Sequence, residues 1–161
     1  MSISVREYTP DDIAAMRDIW NEVVLQKNAF PQIEPLGDDA ADFFSSQSFC
    51  GVAEENGELL GMYILHPNNV GRCGHICNAS YAVKSSARGK GAGRALVTDC
   101  ISRAKSIGFR ILQFNAVVAS NVSAIALYEK LGFERVGTVK GGFLNGSGEY
   151  EDIIIFCYYL V

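Results

Sequence analysis

Between Val83 and Leu96 the chain reads Val-Lys-Ser-Ser-Ala-Arg-Gly-Lys-Gly-Ala-Gly-Arg-Ala-Leu. Gly89, Gly91 and Gly93 alternate there among four basic residues, Lys84, Arg88, Lys90 and Arg94. An apolar run, His75 to Val83, enters the turn, and a helical pattern leaves it. A turn of this kind sets several free backbone N–H groups at a helix start, where the positive end of the helix dipole points the same way. The chemistry implied is anion binding, and glycine lets a phosphate touch the backbone itself. The plainer alternative is a solvated basic loop.

Two asparagines, Asn78 and Asn115, interrupt otherwise apolar runs. A buried amide must find partners, so these residues either bridge structure or hold a small polar substrate. Cys73, His75 and Cys77 suggest a metal site. On a strand, however, neighbours in that set stand roughly 6.5 Å apart along the chain. They cannot easily converge on one zinc with bonds of about 2.0–2.3 Å. They read as structural residues, and no metal is expected.

The turn fails two common phosphate signatures. A P-loop requires a Lys-Ser/Thr pair after its last glycine, and none follows here. A dinucleotide fingerprint, G-x-G-x-x-G, fails because Arg94 and Leu96 stand where its third glycine would be. The composition narrows the ligand further. Net charge is −4, which disfavours duplex nucleic acid. From Leu59 to Thr98 there is no Asp or Glu, although Arg72 and the four basic residues of the turn lie there. A basic centre in an acidic chain suits a small polyanion. Five scattered cysteines make no disulfide framework and point to a reducing, cytoplasmic setting. The first residues resemble neither a signal nor a transit peptide, and no apolar run is long enough for a membrane helix.

The elements that must position these residues are legible from periodicity. Ile3 and Val5 alternate with polar residues as a short strand. Thr9-Pro10-Asp11-Asp12 starts a helix whose stripe is Ile13, Met16, Ile19, Trp20, Val23 and Val24. Asn28–Gly37 is a loop, and Asp38 to about Ser46 a second short helix. Phe49–Ala53 and Leu59–Leu65 are strands joined through Asn56-Gly57, a strong hairpin signal. A long strand runs from about Cys73 to Val83. After the glycine turn, Leu96, Cys100, Ala104 and Ile107 share a helical stripe ended by Gly108. Arg110–Val118 is a strand, Asn121–Gly132 a capped helix, and Phe133–Val139 a strand. Gly141–Gly148 reads as a flexible loop and Tyr150–Leu160 as the last strand. The order is βααβββαβαββ in one domain, 1–161, an α+β or three-layer arrangement around one sheet.

Arg88-Gly89-Lys90-Gly91-Ala92-Gly93 resembles the R/Q-x-x-G-x-G/A signature of the GNAT superfamily, the acetyl-CoA-dependent N-acetyltransferases. About thirty residues on, Asn121-Val122-Ser123-Ala124-Ile125-Ala126-Leu127-Tyr128-Glu129-Lys130-Leu131-Gly132-Phe133 is similar to the family's second motif, N-x-x-A-x-x-L-Y-E-K-x-G-F. The element order also matches.

The resemblance implies a mixed, mostly antiparallel sheet flanked by helices, with acetyl-CoA as co-substrate. The pyrophosphate would sit on the N–H groups from Gly89 through Lys90, Gly91, Ala92 and Gly93 to Arg94, screened by Arg88, Lys90 and Arg94. The backbone at Tyr81, Ala82 and Val83 would hold the pantetheine arm and the thioester oxygen. Asn121 and Ser123 would hold the cofactor at a helix start, and Tyr128 would protonate the leaving thiolate. Attack would be direct, without an acyl-enzyme. Many relatives place a glutamate base on one of two splayed strands, and this chain has none there. Glu34, Glu149, Asp152, His75, a water or no base at all remain open.

Short segments around Asn78, Asn115 and Gly142–Gly146 are also similar to acetyltransferases of the proline analogue azetidine-2-carboxylate. That implies that Asn78 and Asn115 contact a substrate carboxylate. The acceptor expected is therefore a small amine, an amino acid or analogue. Transfer to a peptide N-terminus or lysine, and a non-catalytic acyl-CoA sensor, are the alternatives. Ile153 to Tyr159 is apolar enough to pair across a homodimer.

Overall fold

The computed structural model describes residues 2–161. Its elements follow the expected order. They are β1 (Ser4–Glu7), α1 (Ile13–Gln26), α2 (Ala40–Ser45), β2 (Phe49–Glu55), β3 (Glu58–Pro67), β4 (Ile76–Val83), α3 (Ala92–Ile107), β5 (Ile111–Val118), α4 (Val122–Leu131), β6 (Glu134–Leu144) and β7 (Tyr150–Tyr159). One seven-stranded sheet runs β1-β2-β3-β4-β5-β7-β6. Every neighbouring pair is antiparallel except β4 with β5.

Strand parity sorts the core into two layers. Met62 and Ile64 of β3 and Ala82 of β4 pack with Met16, Ile19, Trp20 and Phe44 of α1 and α2. Tyr63, Leu65, Cys77 and Ala79 face the other way, onto Leu96, Val97, Cys100 and Ala104 of α3. Period-two alternation in the strands and the helical stripes dictate this division. Asn56 and Gly57 both take positive φ (55° and 80°) at the β2–β3 turn, as the Asn-Gly pair requires.

Three expectations about the strands change. β4 begins at Ile76 rather than Cys73, because Gly71–Cys73 forms one tight 3-10 turn and Asn68 N bonds Ile76 O to close the connection. Cys73 and His75 therefore precede the strand and do not share a face with Cys77. β3 continues through His66 to Pro67 instead of stopping at Leu65. The glycines at 141 and 142 lie inside β6, where the register slips between Val139 and Phe143. Gly141 has φ +64°, and a Cβ on Gly142 would stand 2.5 Å from Ile153 Cγ1, so these glycines make a bulge rather than a loop. The turn proper is Asn145–Gly148, with Asn145 Oδ1 accepting from Ser147 and Glu149 N–H.

The entry to α1 carries a charged clamp. Arg6 donates to both Asp12 oxygens (2.8 and 3.0 Å) and to Glu54, and Asp12 also accepts from Thr9 N at 2.7 Å. The Arg6 hydrogen bonds hold the buried Asp12 carboxyl below its usual range. A depressed carboxyl stabilises above its unfolded pKa, and that stability is lost as pH falls through the carboxylate range near about pH 4. Asp12→Asn should cost about 2 kcal/mol at neutral pH. In urea melts, its deficit against the parent should shrink toward zero below about pH 4.

Candidate active site

The turn after β4 is shaped by backbone and held by α1. Gly89 and Gly91 have φ +80° and +91°, conformations that side chains resist. Gly91 is the N-cap of α3 and no side chain caps that end, so the first N–H groups of α3 lack an intrahelical partner. Ser85 N and Oγ bond the Glu22 carboxylate at 2.7 and 3.1 Å, and Arg88 Nη2 reaches Gln26 Oε1 at 3.2 Å. A groove of about 650 Å³ passes this helix end and runs between α4 and the end of β4.

Of the residues expected to hold coenzyme A, Tyr81, Val83, Arg88, Gly89, Gly91, Ala92 and Gly93 line this groove, as do Asn121, Ser123 and Tyr128. Lys90 and Arg94 lie on the other flank of the helix, in a shallow hollow with Ser2, Val5 and Asp99. Ala82 is fully buried against the α1 layer. Lys84 N bonds Leu60 O, and Asn68 N bonds Ile76 O. By the alternation of an antiparallel ladder, even-numbered residues of β4 hydrogen-bond to β3. The backbone groups of Ala79, Tyr81 and Val83 therefore face the gap toward β5, and those of Ala82 do not.

That gap opens because β4 and β5 pair only at Ile76–Ile111 and Cys77–Leu112. β5 then bulges at Asn115-Ala116, where its register with β7 slips between Phe114 and Val117. A second cleft, about 560 Å³, occupies the opening. Phe30, Phe43 and Phe114 supply apolar walls, and Gln47, His66, Asn78, Ser80 and Asn115 supply polar groups. Among its lining residues there is no Asp, Glu, Lys or Arg. Glu34, Glu149, Asp152 and His75 line neither cleft.

The amides of this cleft are partly engaged. Asn78 Nδ2 donates to Gln113 O at 3.0 Å, across the opening strands. Asn115 pairs reciprocally with Asn68, at 2.6 and 3.2 Å, and also accepts from Gln113 Nε2. Each engaged amide NH2 has a second hydrogen. Gln47 Nε2 donates to Phe43 O at 2.9 Å, and its Oε1 is buried without a partner. The motif patterns gave no sign of Gln47, His66 or Asn68. For His66 the parity of β3 was the available signal, since Met62, Ile64 and His66 fall on one face once the strand reaches Pro67.

Tyr81, Asn121 and Tyr128 line both clefts, so the two spaces meet at these residues. Asn121 Oδ1 accepts Ala124 N at 3.4 Å and caps α4. The Tyr128 ring packs on Phe114, Phe133 and Phe156 with centroids 4.7, 5.6 and 5.8 Å away. Burial, with the nearby Cys100, raises the Tyr128 phenol above its usual range. The Tyr81 hydroxyl is buried without a hydrogen-bond partner, and burial raises it too. Burial pushes the Cys77 and Cys100 thiols up to about 12. Neither can ionise readily, which leaves no thiolate nucleophile beside the junction.

The model of the acetyltransferase (GNAT) family matches residues 14–133. The chain belongs to the GNAT family. Over 102 residues this GNAT chain is 43% identical to N-acetyltransferase aca1 of Schizosaccharomyces pombe, a match covering 63% of the chain and 49% of that protein. The chain thus spans about half the length of that relative. It is 26% identical to the L-amino acid N-acyltransferase MnaT of Escherichia coli, over 89% of the chain and 90% of MnaT. The structure of a phosphinothricin acetyltransferase from Sinorhizobium meliloti in complex with AcCoA superposes with a TM-score of 0.91. It is 25% identical, covering 99% of this chain and 89% of that one. The family resemblance read from the two motifs and the expected fold class both hold.

Gly93 tests the groove. A Cβ there would meet only Leu127 Cδ2, at 3.8 Å, so the protein itself leaves room for it. Gly93→Ala should stabilise α3 by about 0.5–1 kcal/mol, because glycine is a poor helix former. Alanine is the other residue that the R/Q-x-x-G-x-G/A signature admits here, so Gly93→Ala should leave acetyl-CoA affinity within about threefold of the parent. The bulkier Gly93→Leu fills the groove, and calorimetry should show its acetyl-CoA binding weakened by about tenfold, or about 1.4 kcal/mol. Unchanged affinity in Gly93→Leu would place the ligand elsewhere.

Proposed function

We propose that this GNAT chain transfers the acetyl group of acetyl-CoA to the amine of a small molecule, an amino acid or close analogue, by direct attack. The meeting of the two clefts at Tyr81 and Tyr128 carries this reading. One cleft offers an uncapped helix end, a glycine-lined floor and Arg88, which suit a pyrophosphate. The other is uncharged and amide-rich, which suits an acceptor with little net charge.

Within this reading each residue has a limited task. The free N–H groups at the start of α3 hold phosphate oxygens. The gap-facing backbone of Tyr81 and Val83 aligns the pantetheine arm and offers an N–H to the thioester oxygen as it gains charge. Asn121 and Ser123 border the arm at the start of α4. Asn78 and Asn115 each donate a remaining amide hydrogen to the acceptor carboxylate. Gln47 Oε1 accepts from the acceptor nitrogen, which gives that buried oxygen a partner.

Tyr128 stands where a leaving sulfur would emerge. Its raised phenol stays protonated near neutrality. It can therefore give a hydrogen bond, and with it its proton, to the sulfur as charge grows. The name of MnaT, an L-amino acid N-acyltransferase, supports the acceptor class.

Release of free thiol from acetyl-CoA, with a panel of amino acids, azetidine-2-carboxylate, simple amines, peptides and lysine derivatives, tests the reading. Small amino acids or analogues should turn over fastest. Faster transfer to peptide N-termini would replace the acceptor class. Retained acetyl-CoA binding without turnover of any amine would sink the enzyme. Tyr128→Phe should lower kcat by about tenfold, a loss near 1.4 kcal/mol, and unchanged kcat would remove Tyr128 from the chemistry.

A further inference from the structure

We propose that His66 is the general base that takes the proton from the acceptor amine, directly or through one water. The inference rests on the reading of the uncharged cleft as the acceptor site. It answers the absence of any carboxylate there.

His66 lies in β3 directly across from Asn78 in β4. Its even-numbered position puts it on the same sheet face as Met62 and Ile64, toward α1 and α2, and it lines the cleft. Its Nδ1 lies 2.9 Å from the carbonyl oxygen of Pro67. A carbonyl only accepts, so this contact fixes the tautomer with hydrogen on Nδ1 and leaves Nε2 with an open lone pair. The same device orients catalytic imidazoles in general: one nitrogen is pinned by an acceptor and the other is basic.

The surroundings leave no competitor. The cleft is lined from the α1–α2 loop, α2 and the residues after it, β3, β4, β5 and α4. Among the residues that line it, the only titratable side chains are His66, Tyr81 and Tyr128. Lys27, Glu34, Asp38 and Asp39 of the loop, Asp42 of α2, Glu58 of β3, and Glu129 and Lys130 of α4 lie on the same elements and do not line the cleft. Both phenols are raised by burial and cannot act as bases near neutrality.

The proton balance is then complete. The amine nitrogen bonds to the thioester carbon, the carbon–sulfur bond breaks, and the amine proton passes to His66 Nε2. The departing thiolate leaves with a hydrogen bond from Tyr128. His66 returns its proton to solvent or to that thiolate.

A base must be neutral to act, so turnover should carry an acid limb that depends on this residue. The test compares wild-type protein, His66→Gln and His66→Ala with whichever panel amine turns over fastest, whether or not it is an amino acid. His66→Gln should lower kcat by about 100-fold, leave acetyl-CoA affinity and melting temperature near wild type, and erase that acid limb. A limb from the amine itself at higher pH stays in both proteins. Added imidazole should restore part of the rate to His66→Ala. A kcat within threefold of wild type, or an unchanged limb in His66→Gln, overturns the base while leaving the acceptor class standing. A wild-type protein inert toward every amine overturns both.

Discussion

The parallel seam between β4 and β5 lasts for two residue pairs and then gives out, and both clefts depend on that failure. A continuous ladder would satisfy the backbone of Ala79, Tyr81 and Val83 and leave nowhere for a thioester. What holds the seam open is local. Asn78 sits at the first unpaired position and ties its amide to Gln113 O, while the bulge at Asn115-Ala116 turns β5 away. At the far end, Gly146 N bonds Lys27 O, so the tip of the β6–β7 hairpin braces α1 across the opening. The gap is thus built into the sheet, pinned at both ends.

The groove at the start of α3, the proposed donor site, was largely legible in the sequence. Alternating glycines at a strand–helix junction have a backbone cause, and Gly89 and Gly91 take the positive φ that cause requires. The second motif, Asn121–Phe133, reads as a capped helix with Tyr128 on its inner stripe, and it folds as one. Lys90 and Arg94 show where spacing stops informing. Both belong to the basic turn, but Lys90 stands before α3 and Arg94 in its first turn, and both open into the hollow on the far flank, a direction that composition cannot report.

The uncharged cleft, the proposed acceptor site, was only half legible. Asn78 and Asn115 declared themselves by breaking apolar runs. Gln47 and His66 did not. Gln47 follows α2, which ends where expected, and no periodic pattern marks a residue past a helix end. His66 falls in the two residues by which β3 outruns its expected end at Leu65. Asn68 was invisible for another reason. Its partner Asn115 is 47 residues away, and no local pattern encodes that pairing. The glycines at 141 and 142 carried the opposite lesson: glycine-rich sequence signalled a bulge within a strand, not a mobile segment.

The four buried cysteines give the active site a further property. Each cycle of the proposed reaction frees a thiol beside Tyr128, where β4 and β5 part, and Cys77 and Cys100 lie in the core layer that Tyr81 and Tyr128 pack against. Thiol–disulfide exchange needs a thiolate as its attacking group. With both thiols pushed up to about 12 and shut inside the core, neither can attack an oxidised form of coenzyme A. Desolvation thereby keeps these two core thiols out of exchange with an oxidised form of the proposed product. Cys73, exposed on the 3-10 turn and lining neither cleft, is the one thiol left in open contact with solvent.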